Sequence, residues 1–136
     1  MSGVIEPSHN RVFVVVIGAG FGGIGMGIAL KRAGIDDFVI VEQRDGAGGV
    51  WEANGYPGAA CDVPSHLYSF SFEPWPDWTR RYGGRAEIRD YLRHCAGEFA
   101  LEPHLRLGRR VVSATFDDAA GCWRIALDDG AELRAR

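Results

Sequence analysis

The first apolar run of the chain, Val12 to Ile17, is almost wholly β-branched and has the length of a strand. An uninterrupted run of this kind predicts a strand buried on both faces of a sheet. Gly18 to Gly23 predicts a tight turn. Helical spacing then carries through about Ala33, with Ile24, Ile28 and Leu30, together with Ala29, on the buried side. Gly34 stands where a helix C-terminus favours a left-handed residue. Phe38–Glu42 predicts a second short apolar strand. Strand, helix and strand within about 31 residues make a βαβ unit with a right-handed crossover.

From Gln43 to Gly84 the periodicity disappears and Gly, Pro, Ser and aromatics accumulate. Loops this long are usually functional or disordered. Seven Trp, Tyr and Phe residues from Trp51 to Trp78 favour a packed segment, with Phe70, Phe72, Trp75 and Trp78 beneath it. Helical spacing returns over Ala86–Ala100, where Ile88, Tyr91, Leu92, Cys95 and Phe99 share a face, and Pro103 ends the element. After His104, short strands alternate with turns. Val112, Ala114 and Phe116 alternate with small or polar residues, and Asp117–Gly121 is a turn. Trp123, Ile125 and Leu127 read as a core-facing row, Asp129-Gly130 as a hairpin turn, and Leu133 as the start of a further strand. No internal repeat is present. The pattern predicts an α/β fold: a Rossmann-like domain over residues 11–136 with a small antiparallel β-meander, preceded by a polar tail over residues 1–10. A doubly wound sheet needs more parallel strands than this, so the fold is expected to be incomplete and the chain to be part of a longer polypeptide.

Composition narrows the picture. The 136 residues suit one domain, and a net charge of −3 without a basic stripe argues against nucleic acid or an anionic membrane as partner. The stretch between Arg11 and Lys31 is uncharged and long enough to span a bilayer, but its six glycines and β-branched start fit strand and turn better. The N-terminus lacks the pattern of a signal peptide. Cys61, Cys95 and Cys122 are odd in number and form no CxxC pair, which suits a reducing cytoplasm better than a disulfide framework or zinc site. His9, His94 and His104 lack metal-ligand spacing. Cys61 and His66 have no third group to orient them as a nucleophile pair, and Arg80, Arg81 and Arg85 read as a solvated cluster.

The chemistry concentrates in Gly18-Ala19-Gly20-Phe21-Gly22-Gly23, a GxGxxG between a predicted strand and a predicted helix. Gly18 permits the turn, Gly20 lets a pyrophosphate approach the backbone, and Gly23 lets the helix pack on the strand. Amide N–H groups and the dipole at the helix start attract the diphosphate. Glu42, 19 residues past Gly23, is placed to accept hydrogen bonds from a ribose diol and would repel a 2′-phosphate. The site therefore favours FAD or NAD over NADP, and the fingerprint alone does not choose between those two.

Gly48-Gly49-Val50-Trp51 and Tyr56-Pro57-Gly58-Ala59-Ala60-Cys61-Asp62-Val63-Pro64-Ser65, continuing through Phe72, bear on that choice. They resemble the front of class B flavin monooxygenases, closest to Baeyer–Villiger monooxygenases, with their GGxW and YPGxxCDxPS-like segments. The similarity extends over most of the chain from Arg11 onward. It implies FAD as bound cofactor and NADPH as reductant, with O2 and a small organic substrate consumed by the full enzyme. Gly18, Gly20, Phe21, Gly22, Gly23, Glu42 and Gln43 would hold the ADP half, and the Val111 main chain the adenine. Gly49, Val50 and Trp51 would lie toward the flavin, Tyr68 would contact FAD, and Asp62, the one catalytic candidate, would approach the flavin and NADPH. Position 50 is Val where Thr is frequent. The family's second glycine fingerprint, its FxGxxxHxxxW linker and its NADPH-binding arginines have no counterpart here, and the third parallel strand is expected only after Arg136. Two alternatives stand beside this reading: an NAD(P)-linked reductase, and an inactive truncated nucleotide-binding fragment.

Overall fold

The computed structural model describes residues 10–136, so all of the polar tail except Asn10 lies outside the described residues. The centre of the fold is the strand β3 (Phe38–Val41), four apolar residues that are all buried. Side chains alternate across a strand, and β3 uses both faces. Phe38 and Ile40 enter a core with Ile24, Ile28 and Leu30 of α1 (Phe21–Arg32) and Tyr91, Leu92, Cys95 and Ala96 of α3 (Arg85–Glu98). Val39 and Val41 enter a second core with Ile125, Leu127, Leu133 and Ala135 of the β-meander. The result is three layers: helices, a parallel sheet, and the meander.

The predicted strand Val12–Ile17 is two strands in two sheets. β1 (Arg11–Val12) pairs in parallel with the last strand, β7 (Glu132–Ala135), and β2 (Val14–Ile17) pairs in parallel with β3. The changeover is at Phe13, whose N–H donates to the Asp37 main chain and carboxylate rather than to either ladder. An unbroken apolar run carries no mark of such a switch. Nor is β2 buried on both faces: it is half-buried, and Ile17 at its end is 60 % exposed. Its neighbour on one side is β3, and no described strand pairs with its other edge.

A third parallel strand lies inside the described chain, contrary to the expectation that it begins after Arg136. β4 (Leu105–Arg106) adds to the far edge of β3, giving the order β2-β3-β4. With two residues, it is too short to show a hydrophobic period. The meander runs β5 (Val111–Asp117), β6 (Cys122–Leu127) and β7, all antiparallel, with β1 at its edge. Its turns fall at 117–121 and 128–130, as expected.

Both long helices close with the same hydrogen-bond pattern. Gly34 (φ +74°) and Ala100 (φ +53°) are left-handed. Ile35 and Leu101, one residue further on, donate back to Leu30 and Ala96 at 2.9 and 2.8 Å. This motif satisfies carbonyls that a helix end would orphan. It stops α3 at Glu98, two residues short of the expected Ala100, leaving Phe99 as the cap. On α1, Ala29 is exposed, contrary to expectation, and Gly27 takes its place on the buried face. A side chain at Gly27 would press on Ile40 and Leu101. Arg11 to Lys31 thus resolves into strands, turn and helix, and no helix among the described residues is long and apolar enough to cross a membrane.

Candidate dinucleotide-binding site

The turn Gly18–Gly20 leads from the C-terminal end of β2 into α1. Gly18 has φ +95°, a conformation that side chains disfavour, and its N–H donates to the Val41 carbonyl at 2.8 Å. Gly20 caps α1. No side chain caps that terminus, and its first turn holds no acid. The leading amides therefore keep the unneutralised positive end of the helix dipole, the arrangement that receives a phosphate. Gly23 has the packing role expected of it: a Cβ there would overlap the Gly18 carbonyl.

Glu42 follows β3 directly and is buried (5 % exposed). Its Oε2 accepts from the Ala19 N–H at 2.9 Å and its Oε1 from the Arg44 N–H at 2.9 Å. The carboxylate thus fastens the glycine turn to the end of β3 without any ligand. Each oxygen retains a lone pair for a ribose hydroxyl.

The GGxW segment crosses over this turn. The Gly48 N–H donates to the Ala19 carbonyl at 2.9 Å. A Cβ on Gly49 would lie 2.8 Å from the Gly20 Cα, and one on Gly20 3.3 Å from the Gly49 Cα. Glycine at 20 is therefore required by the neighbouring backbone itself, beside the ligand approach expected from the fingerprint. A short helix, α2 (Val50–Ala53), follows within the segment expected to be irregular.

These elements enclose a cleft of about 370 Å3. It brings together Gly18, Gly20, Glu42, Gln43, Gly49, Val50 and Val111, drawn from four separate stretches of sequence. It also holds Arg44, Arg109 and Arg110, which sequence reading did not single out. Arg109 pairs with Asp129, and Arg110 lies 4.0 Å from Asp128. The only signal for them was a cluster of basic residues, which spacing does not distinguish from a solvated surface.

The other candidates stand outside the lining of this cleft. The Phe21 ring packs edge-on against Tyr68 and Phe70, with centroids 4.7 and 5.4 Å away. Gly22 is exposed at the helix start. Trp51 is half-buried and donates its Nε1–H to the Tyr68 hydroxyl at 3.3 Å. Asp62 is exposed on the loop beside Cys61. That loop is ordered by side chain to backbone bonds. Buried Ser65 accepts from the Gly83 N–H at 2.7 Å, and the Tyr91 hydroxyl donates to the Glu73 carbonyl and accepts from the Phe70 N–H. Burial raises the Tyr91 hydroxyl well above its usual range and pushes the Cys95 thiol up to about 11, so both are neutral core groups. Phe70, Phe72, Trp75 and Trp78 pack on the helix-side core as expected.

Two expectations need correction. Trp123 is 44 % exposed: it meets Phe116 edge-on and lines an open apolar hollow with Val14, Val15 and Ile17 of β2 instead of entering the core. Arg85 is not a solvated residue: its Nη2 donates to the Glu52 carbonyl at 2.8 Å.

A glycine turn between a parallel strand and a helix, closed by an acid at the next strand's end, defines a dinucleotide-binding protein of Rossmann type. The profile of the NAD(P)-binding Rossmann-like domain matches residues 16–86, and the chain belongs to that family. It is 51 % identical to a Baeyer-Villiger monooxygenase of Streptomyces coelicolor, over 88 % of this chain and 23 % of the relative. A Baeyer-Villiger monooxygenase of Pseudomonas aeruginosa is 45 % identical over 82 % of this chain and 21 % of its own length. The open crystal structure of cyclohexanone monooxygenase superposes with a TM-score of 0.87 at 39 % identity, over 93 % of this chain and 25 % of that one. The expected resemblance to Baeyer–Villiger enzymes is borne out, and the chain spans about a quarter of the length of these relatives.

Proposed function

We propose that the chain is the FAD-binding front portion of an NADPH- and O2-dependent flavin monooxygenase acting on a small organic substrate in the cytoplasm. The observation that carries this reading is the cleft in which the Gly18–Gly20 turn, Glu42 and the crossing Gly49 meet. The fit to a dinucleotide is physical: Gly20, at the uncapped start of α1, lines one side of the cleft, and a buried carboxylate with spare acceptor capacity lines the other. Bound FAD would supply the redox chemistry that couples NADPH oxidation to O2 reduction. The chain's own residues bind and orient. Amides at 20–23 hold the diphosphate, Glu42 accepts from the ribose hydroxyls, and Arg44 and Arg110 border the adenine end beside Val111. Gly49, Val50 and Trp51 continue toward the flavin, with Trp51 fixed by Tyr68. Asp62 is proposed to meet the flavin and NADPH from its exposed loop.

The test is retention of ligand. The purified chain is mixed with FAD, NADH or NADPH and passed through a desalting column. The reading expects a yellow protein after FAD and no retained nucleotide after NADH or NADPH. Retention of NADH with no retention of FAD would instead favour an NAD-linked dehydrogenase.

A further inference from the structure

Three arginines on successive turns of α3, Arg85, Arg89 and Arg93, face one short segment of chain. Spacing of four residues puts them on one face of the helix, and each reaches the stretch 46–53. Arg93 donates through Nε to the Ala47 carbonyl at 3.2 Å and through Nη2 to Glu52 Oε2 at 2.9 Å. Arg89 Nε lies 3.9 Å from the same carboxylate oxygen, and Arg85 donates to the Glu52 carbonyl. Both ends of the segment are therefore tied to α3. Between those ends lie Gly48, which bonds the fingerprint at Ala19, and Gly49, which touches Gly20. The arginines pass close by the backbone: a Cβ at Gly48 would sit 3.1 Å from Arg89 Cγ, and one at Gly46 would overlap the Arg93 guanidinium.

We infer that Arg85, Arg89 and Arg93, acting through Glu52 and Ala47, are positioning residues that set the wall of the nucleotide cleft from outside it. None of them lines the cleft. They act on it through Gly48 and Gly49, so their removal loosens that crossing while leaving the two cores in place. The inference about binding rests on the dinucleotide reading, whereas the loosening itself does not.

The experiment compares the chain with Arg93→Ala, Arg93→Lys and Glu52→Ala. Amide hydrogen exchange is followed without ligand, and FAD affinity by calorimetry. Loss of a charged pair and a carbonyl bond predicts about tenfold faster exchange at Gly48 in Arg93→Ala, with Ile125 in the meander unchanged. FAD affinity is expected to fall about fivefold to tenfold, because a loosened site must be re-ordered on binding. Arg93→Lys, which reaches Glu52 or Ala47 but not both, should fall between. Unchanged exchange at Gly48, or equal acceleration at Gly48 and Ile125, overturns the inference, as does faster exchange at Gly48 with full FAD affinity. If the unaltered chain takes up no FAD, the dinucleotide reading fails, and Gly48 exchange still decides whether the arginines hold the crossing.

Discussion

The two faces of the parallel sheet are covered to different degrees. On the helix face, Ile24, Ile28, Ile40, Tyr91, Leu92, Cys95 and Leu101 are inaccessible or nearly so, and aromatics of the long loop seal the rim. On the meander face, Val39, Val41, Ile125, Leu127, Leu133 and Ala135 form a smaller core, while Phe13, Ile17, Val112, Phe116 and Trp123 remain substantially exposed. An apolar cavity of about 390 Å3 lies there between β2 and the meander. The proposed nucleotide cleft lies at the end of the sheet, where the strands' C-termini meet both layers. Its glycine turn is braced chiefly by the helix face, through α1 packing and the arginines of α3. The better-packed face therefore supports the proposed binding geometry, and the looser face contributes mainly Val111 and the arginines beside it.

This contrast is open to attack in order of effect. Leu92→Ala should cost about 3 kcal/mol, since it opens a cavity in a closed core; a urea unfolding midpoint measures it. A loss as small as that of an exposed residue would break the contrast. Alkaline pH comes next. Cys95 ionises near 9.0 when unfolded and near 11 in the fold. The unfolded state loses this proton first, so stability is present below about pH 9 and declines as pH rises toward 11. The loss approaches about 2 kcal/mol from this group, and Cys95→Ala should flatten the decline. Gly18→Ala forces a side chain into a left-handed backbone and should cost about 1 kcal/mol. It should also weaken FAD binding, which calorimetry on the folded variant checks. Trp123→Ala, on the open face, should cost less than about 1 kcal/mol. A loss as large as that of Leu92→Ala would mean that the meander face is as tightly built as the other.

Local features were legible from sequence. The existence of the fingerprint turn, the C-terminal end of α1, the row of Ile88, Tyr91, Leu92 and Cys95, and both meander turns all depend on neighbours a few residues apart, whereas α1 starts at Phe21, inside the expected turn Gly18–Gly23. Of the cleft residues, Gly18, Gly20 and Glu42 follow from the fingerprint, while Gln43, Gly49, Val50 and Val111 came with the family resemblance. What escaped depended on distant partners. The switch of sheets at Phe13 is decided by Asp37, 24 residues on. β4 is defined only by its alignment on β3. Arg85 looked like solvent-facing charge because the Glu52 carbonyl it meets lies 33 residues away. Trp123 keeps the alternation of a core residue, but it lines an open hollow against the edge strand β2, a position set by residues over 100 places earlier in the chain.

The central claim is that the glycine turn and Glu42 together grip the ribose and diphosphate of FAD, and titrating FAD into the chain and into Glu42→Gln by calorimetry tests it most directly. The account predicts measurable binding by the first and at least about tenfold weaker binding by the second, with unaltered circular dichroism, since an amide presents only one acceptor oxygen where the carboxylate presents two. No binding by the unaltered, folded chain, or equal affinity in both, would contradict it.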